Sequence, residues 1–185
     1  VGRVHGLEHV PADLPRVPPG IGGLTREQRI RRTIEDHLAG AGLREVTTVS
    51  LTDPDVRVRY GLGGETPVVL RNPLSADLSE LRLSLLPSLL EVVARNRAVG
   101  EPNVQAFELG RVYAPGNAEQ SRIGVVLAGS LGGEGWTGAG APADFGTIVA
   151  IVDGLLDRLG IEAQRRPIAD LPLLHPGRAA ELVAD

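Results

Sequence analysis

The stretch Arg71-Asn-Pro-Leu-Ser-Ala-Asp-Leu-Ser-Glu-Leu-Arg-Leu-Ser-Leu-Leu-Pro-Ser-Leu-Leu-Glu-Val-Val-Ala-Arg-Asn96 decides the fold. Before it, Val68, Val69 and Leu70 read as a short apolar strand running into a turn at Asn72-Pro73. An acid-bearing linker follows, and a helix is expected to begin around Pro87. Proline suits the first turn of a helix, where its missing N–H has no intrahelical partner anyway. Leu85, Leu86, Leu89, Leu90 and Val93 recur at helical spacing and define one broad apolar face.

Outward from this stretch the chain alternates helices and strands. Thr25 and Gln28 have the spacing of a capping box, opening a first helix. Ile30, Ile34, Leu38 and Ala41 line one face of it, His37 stands opposite much of that stripe, and Gly40 and Gly42 close it. Arg26, Arg29, Arg31 and Arg32 on this helix read as a solvated face, with contact to RNA the sharper alternative. Glu45 to Leu51 alternates as a strand. Pro54 and Gly61 to Gly64 read as a surface passage.

Val104 to Tyr113 is a strand with Phe107, Leu109 and Arg111 on one face and Ala106, Glu108 and Gly110 on the other. Arg122 to Ala128 is nearly all apolar and reads as a central strand. Gly129 to Pro142 is the lowest-complexity segment, a surface loop with Trp136 inside it. Asp144 to Leu159 is the last long helix, with Phe145, Ile148, Val152, Leu155, Leu156 and Leu159 on its stripe and Gly160 at its end. Ile161 to Arg165 and Ala179 to Val183 read as strands joined through Leu174-His175-Pro176-Gly177-Arg178. Val1 to Gly23 is rich in Pro and Gly and reads as an extended arm.

Composition excludes several classes of function. A chain of 185 residues can bury a real core. With 19 Arg and no Lys, it offers no Schiff-base or phosphate-binding lysine. A formal net charge of -4 argues against nucleic-acid binding through bulk charge. Cysteine is absent, so there is no disulfide and no thiolate metal site. No apolar run reaches the ~20 residues a bilayer requires, so no membrane association is expected. The chain opens on Val1 and contains no Met, which reads as a piece of a longer or processed polypeptide.

Local motifs for chemistry are few. Gly133, Gly135 and Gly138 spell Gly-x-Gly-x-x-Gly, but Gly140 and Pro142 stand where a nucleotide-binding helix would have to begin. His5, His9, His37 and His175 are scattered without ligand spacing, so no metal site is expected. His175, before Pro176 and Gly177, reads as a turn residue with a backbone partner. No serine sits in a strand–turn–helix elbow.

Three motifs in order carry a resemblance: Asn72-Pro73-Leu74-Ser75 with Leu81-Arg82-Leu83-Ser84-Leu85-Leu86-Pro87 and then Arg95-Asn96; Phe107-Glu108-Leu109-Gly110-Arg111-Val112-Tyr113; and His175-Pro176-Gly177-Arg178. Together they resemble the beta subunit of bacterial phenylalanine–tRNA synthetase, in its synthetase-like module. Residues 1–23 are similar to the end of the preceding small domain, with His5 and Leu7 where the family has tyrosines. Residues 24–185 then correspond to the module, C-terminally truncated. Asp144 to Ala150 lacks the family's Lys-Gly pair.

The resemblance implies an α+β fold: an antiparallel sheet flanked by helices, as in class II aminoacyl-tRNA synthetase cores. It implies a cytoplasmic (αβ)2 heterotetramer ligating phenylalanine to tRNA-Phe, with ATP and Mg2+ used by the whole enzyme and neither expected on this segment. No catalytic residue is expected here. The strand with Glu108 and Arg111 looks like a relic of the one that, in active class II enzymes, brings arginine to the ATP α-phosphate. Glu108 with Arg111 therefore reads as a structural ion pair or a partner contact. Asn72, Pro73, Arg82, Pro87, His175, Gly177 and Arg178 read as structural motif positions. Leu81, Leu85 and Leu89 are expected to lean toward the alpha subunit while Leu86 and Leu90 face inward. The alternatives are an active ATP-binding paralogue, or an unrelated small-molecule domain built on the Gly129–Pro142 loop.

Overall fold

In the computed structural model of the protein, residues 2–9, 11–13, 22–62, 66–114, 116, 118–136, 138–168, 173–175 and 177–184 are described. The fold is organised on a long antiparallel hairpin, β4 (Val104–Ala114) with β5 (Ala118–Ala128), registered from Val104 opposite Ala128 to Ala114 opposite Ala118. A two-residue strand, β1 (Arg44–Glu45), adds to the other edge of β4 in parallel, placing Glu45 beside Phe107. Successive side chains on β4 point to opposite faces. The two faces are covered by different helices.

Helices α2 (Arg26–Gly40) and α5 (Phe145–Leu159) cover the first face. The Thr25 capping box forms as expected: the Thr25 N–H donates to Gln28 Oε1 at 2.9 Å, and the Gln28 N–H donates to Thr25 Oγ1 at 3.2 Å. Asp144 caps α5 by accepting from the Thr147 N–H at 2.8 Å, and Gly160, left-handed at φ 67°, ends it. Ile34, Leu38, Leu43, Phe107, Ile151 and Leu155 close into one apolar cluster. The centre of the α5 stripe is thus Ile151 with Leu155, while Phe145 is exposed. His37 lies between the two helices and not on an outer face. Its Nε2 stands 3.0 Å from the Ile151 carbonyl, which can only accept, so this nitrogen carries the proton. Gly154 leaves room for the ring: a Cβ there would lie 3.1 Å from His37 Cε1.

Helix α4 (Leu86–Ala98) covers the second face, and it begins where Pro87 predicts. Leu85 is 3% exposed and Leu89 0%; with Val112 they form the second apolar cluster. This overturns the expected division of the leucines. Leu85 and Leu89 point into the chain's own core, and Leu86 and Leu90 are the half-buried pair. The reason is helical phase: Leu85 and Leu89 are one turn apart, and that row is the one pressed onto β5. A Cβ on Gly124 of β5 would come within 2.5 Å of Leu89 Cδ1. Glycine there is what lets the helix approach so closely.

Other expectations are corrected locally. The anticipated strand Glu45–Leu51 is split, because β1 ends at Glu45 and β2 (Leu51–Thr52) pairs antiparallel with β3 (Glu80–Leu81) instead. Val68–Leu70 contributes a single bridge, Val69 opposite Glu80. The surface passage contains a helix, α3 (Pro54–Arg59), whose Asp53 cap accepts from the Asp55 N–H at 2.8 Å. Asp-Pro is itself a helix-start signal, and it was legible. Among the described residues β5 is an edge strand and β4 the central one.

Gly129–Pro142 is a hairpin, not a loop: β6 (Ser130–Gly135) pairs with β7 (Gly138–Pro142), with a register shift between Leu131 and Glu134. Positive φ at Gly132 (81°) and Gly138 (110°) shows that its glycines serve irregular strand geometry. In the N-terminal arm, α1 (Gly2–His5) and a 3-10 turn over Leu7–His9 replace the expected extended chain; residues 1, 10 and 14–21 lie outside the described set. The last strands form as predicted, β8 (Ala163–Pro167) antiparallel to β9 (Ala180–Ala184). The sheets are mixed and antiparallel, and the α+β class stands.

Candidate functional site

The chemistry-bearing residues of the first two motifs meet beneath α4. Arg82 follows β3 and Glu108 lies on the α4-facing side of β4, and both are buried, at 4% and 2% exposure. The Arg82 Nη2 donates to Glu108 Oε1 at 2.8 Å. Its Nη1 donates to Thr48 Oγ1 at 2.7 Å and its Nε to the Arg111 carbonyl at 2.8 Å. The Thr48 hydroxyl in turn donates to Glu108 Oε2 at 2.6 Å, and the Thr48 N–H reaches Oε1 at 3.3 Å. The backbone joins the same knot, since the Arg82 N–H donates to the Ser50 carbonyl and the Tyr113 N–H to the Arg82 carbonyl.

This arrangement is closed. Both carboxylate oxygens of Glu108 are occupied, and among the described residues no buried side-chain polar atom lacks a partner. Gly110 belongs to it by omission: a Cβ there would lie 2.5 Å from Arg82 Nη2 and 2.8 Å from Leu85 Cδ2. Taking an ion pair out of water carries a desolvation penalty, and this one is sustained by saturating hydrogen bonds. What it can do chemically is fix the relative positions of β3, β4, the Thr48 segment and the start of α4. A second pair beside it, Arg57 Nε with Glu80 Oε2 at 3.2 Å, ties α3 to β3.

The expected pairing of Glu108 with Arg111 is therefore corrected. Adjacent strand positions three apart point to opposite faces, so the two side chains cannot meet. Arg111 turns to the other face, is half out in solvent, and pairs with Glu119 across the hairpin at 3.5 Å. It lines an open groove of about 510 Å³ with Ile30, Arg31, Leu109, Arg122 and Ile123. Pro87 is buried in the first turn of α4. Asn72 and Pro73 lie exposed at a bend. The His175 turn has the backbone partners its sequence suggests: its Nδ1 accepts from the Gly177 N–H at 3.1 Å, and its carbonyl from the Arg178 N–H at 2.8 Å. Pro176 lies outside the described residues.

Glu108 and Arg111, the two charges on the strand likened to an ATP-binding one, are both engaged within the chain. Both Glu108 carboxylate oxygens already accept hydrogen bonds, Arg111 is matched by Glu119, and no group of three or more His, Asp or Glu among the described residues could hold a metal ion. Gly135 and Gly138, from the Gly-x-Gly-x-x-Gly pattern, face each other across a hairpin, and strand β7 separates them from the start of α5, which Asp144 caps. Thr48, Gly110 and Gly124 are the site residues that sequence reading missed. Nothing local marks them, because their partners lie far along the chain. Among the described residues no helix is long and apolar enough to cross a membrane.

Comparison with known proteins bears on this geometry. Solved structures share the fold: a histidine–tRNA ligase subunit from Alicyclobacillus acidocaldarius has a TM-score of 0.56 at 20% identity, covering 83% of this chain and 44% of that one. A pyrrolysyl tRNA synthetase from Desulfitobacterium hafniense has a TM-score of 0.56 at 13% identity, covering 90% and 52%. Among curated proteins, the phenylalanine–tRNA ligase beta subunit of Geobacillus kaustophilus is 40% identical, covering 98% of this chain and 23% of its own length. That of Symbiobacterium thermophilum is 36% identical, covering 99% and 22%. The chain thus spans about a quarter of the length of the relatives it matches. Residues 10–185 match the family described as the phenylalanyl tRNA synthetase beta chain CLM domain. With that match over most of the chain, and relatives of the same kind along its whole length, the protein belongs to the CLM-domain family of phenylalanyl-tRNA synthetase beta chains.

Proposed function

We propose that this chain is a non-catalytic, synthetase-like module of a phenylalanine–tRNA ligase, and that it holds the catalytic alpha subunit in place within a cytoplasmic (αβ)2 assembly acting on tRNA-Phe. Phenylalanine activation, with its ATP and Mg2+, belongs to the alpha subunit in this reading. The observation that carries it is the saturated Arg82–Glu108–Thr48 knot. A synthetase strand needs charged groups aimed at a developing charge and accessible to substrate. Here the charged groups on the α4-facing side of β4 are spent on one another. The charge kept outside, Arg111, has a carboxylate neighbour. Of the three leucines first assigned to docking, Leu81 alone stays in the proposed contact, because Leu85 and Leu89 are core.

The test uses full-length beta subunit co-purified with alpha subunit, followed by phenylalanine-dependent pyrophosphate exchange. Arg111→Ala in the beta subunit should leave exchange unchanged in an intact assembly. A loss of about a hundredfold, the scale of a deleted transition-state contact, would place catalysis in this module. In the same preparation Leu81→Ser should shift the subunit equilibrium toward free alpha subunit; an unchanged elution profile would remove Leu81 from the contact.

A further inference from the structure

We propose that Arg82 is a register key: it decides which row of leucines is turned onto the β4–β5 hairpin, and it does so without adding net stability. The segment concerned is Leu81-Arg82-Leu83-Ser84-Leu85-Leu86-Pro87-Ser88-Leu89-Leu90, with six leucines and one charged residue. Leu85 with Leu89 and Leu86 with Leu90 form two rows at helical spacing, and the first is the buried one. Advancing the segment by one residue would exchange the rows at nearly unchanged apolar area. Burial of leucine is non-directional and cannot separate two such seats. A guanidinium can, because its donors fit only where acceptors already stand.

The acceptors belong to other segments. Glu108 and the Arg111 carbonyl come from β4, and Thr48 comes from the break between β1 and β2. The backbone of Arg82 is held by the same two segments: its N–H donates to the Ser50 carbonyl at 2.9 Å, and its carbonyl accepts from the Tyr113 N–H at 3.0 Å. Arg82 thus occupies the outer edge of β4 at Tyr113, as β1 and the Val46 N–H occupy it at Phe107. Little else fixes this end of the leucine segment. The β2–β3 ladder before it pairs only Leu51 with Leu81 and Thr52 with Glu80, too short to hold a position by itself.

Energetics separate a key from a brace. A buried, hydrogen-bonded ion pair is close to neutral against apolar residues of similar volume, because desolvation offsets the attraction. What one polar residue in an apolar seam supplies is register, as a lone asparagine does in a coiled coil. Gly110 carries the choice into α4, since its missing Cβ leaves the space shared by Arg82 Nη2 and Leu85 Cδ2. The seat of the guanidinium and the seat of the inward leucine row are therefore set together.

The experiment is hydrogen exchange, read by mass spectrometry, on the full-length beta subunit carrying Arg82→Met together with Glu108→Leu. Its denaturation midpoint should stay near the parent's. The amides of Leu81, Arg82 and Tyr113 should exchange about tenfold faster, while those pairing β4 with β5 keep parental rates. Parental exchange at all three would overturn the proposal, because leucine packing alone would then set the seat. Faster exchange throughout the hairpin with a lowered midpoint, or a variant that fails to fold, would overturn it in favour of a plain contribution to stability. Thr48→Val keeps both charges and the volume; it should accelerate the same three amides, and Thr48→Ser should restore parental rates. Indistinguishable Thr48→Val and Thr48→Ser proteins would overturn the part assigned to the hydroxyl.

Discussion

The two faces of the β4–β5 hairpin solve the same packing problem with different chemistry. Toward α2 and α5, Phe107 and its buried neighbours are uniformly apolar. Such a face is held by area and shape, and it tolerates substitutions that conserve volume. Toward α4 the buried apolar cluster is smaller, Leu85 with Leu89 and Val112, and the Arg82–Glu108–Thr48 knot and two glycines complete the face. That face depends on directional bonds and on one helix approach distance. Apolar area makes helices stick to a sheet; hydrogen bonds with fixed geometry decide where along it they sit.

The largest test of this contrast is to remove one half of the buried pair. Glu108→Ala strands the Arg82 guanidinium away from water and should cost about 3–5 kcal/mol in unfolding free energy. The double change Arg82→Met with Glu108→Leu should recover much of that, because no buried charge is left over; chemical denaturation of the three proteins reads the difference. A double variant no more stable than Glu108→Ala would show that the knot's hydrogen bonds, and not its unpaired charge, set the cost. A smaller test compares added with subtracted volume. Gly124→Ala pushes a methyl into Leu89 and should cost about 1–3 kcal/mol, against about 0.5–1.5 kcal/mol for Ile34→Val on the apolar face. Equal losses would erase the distinction between the faces.

The smallest effect lies at the margin of the apolar face. Hydrogen bonds from the Thr147 backbone and hydroxyl hold the Asp144 carboxyl below its ordinary value. A depressed carboxylate contributes stability that is fully present above its unfolded pKa and is lost as pH falls through the folded one. Acidification through and below the usual carboxylate range should therefore lower the melting temperature more steeply in the parent than in Asp144→Asn. Parallel curves would show that the cap's charge contributes nothing.

Much of this architecture was legible in the sequence. The capping box at Thr25, the start of α4 at Pro87, α5 with its Asp144 and Gly160 ends, and the alternation of β4 all rest on interactions within a few residues. The Gly-rich hairpin was not legible, because glycine carries no β-pattern to read. Short strands such as β1 and β3 were equally silent, since their pairing is decided by which segment arrives beside them. The sequence also could not say which row of leucines on α4 faces inward, since Leu85-Leu86 and Leu89-Leu90 offer two apolar rows with similar claims.

What the sequence determined by itself is where helices begin and end, which strand positions alternate, and which family the motifs resemble: local sterics and short-range hydrogen bonds carry that information. The tertiary structure alone decided that Glu108 belongs to Arg82, 26 positions away. The strand's two-residue period, legible in the sequence, already turned Glu108 away from Arg111; its actual partner depends on a burial that only the arrival of β3 and α4 creates.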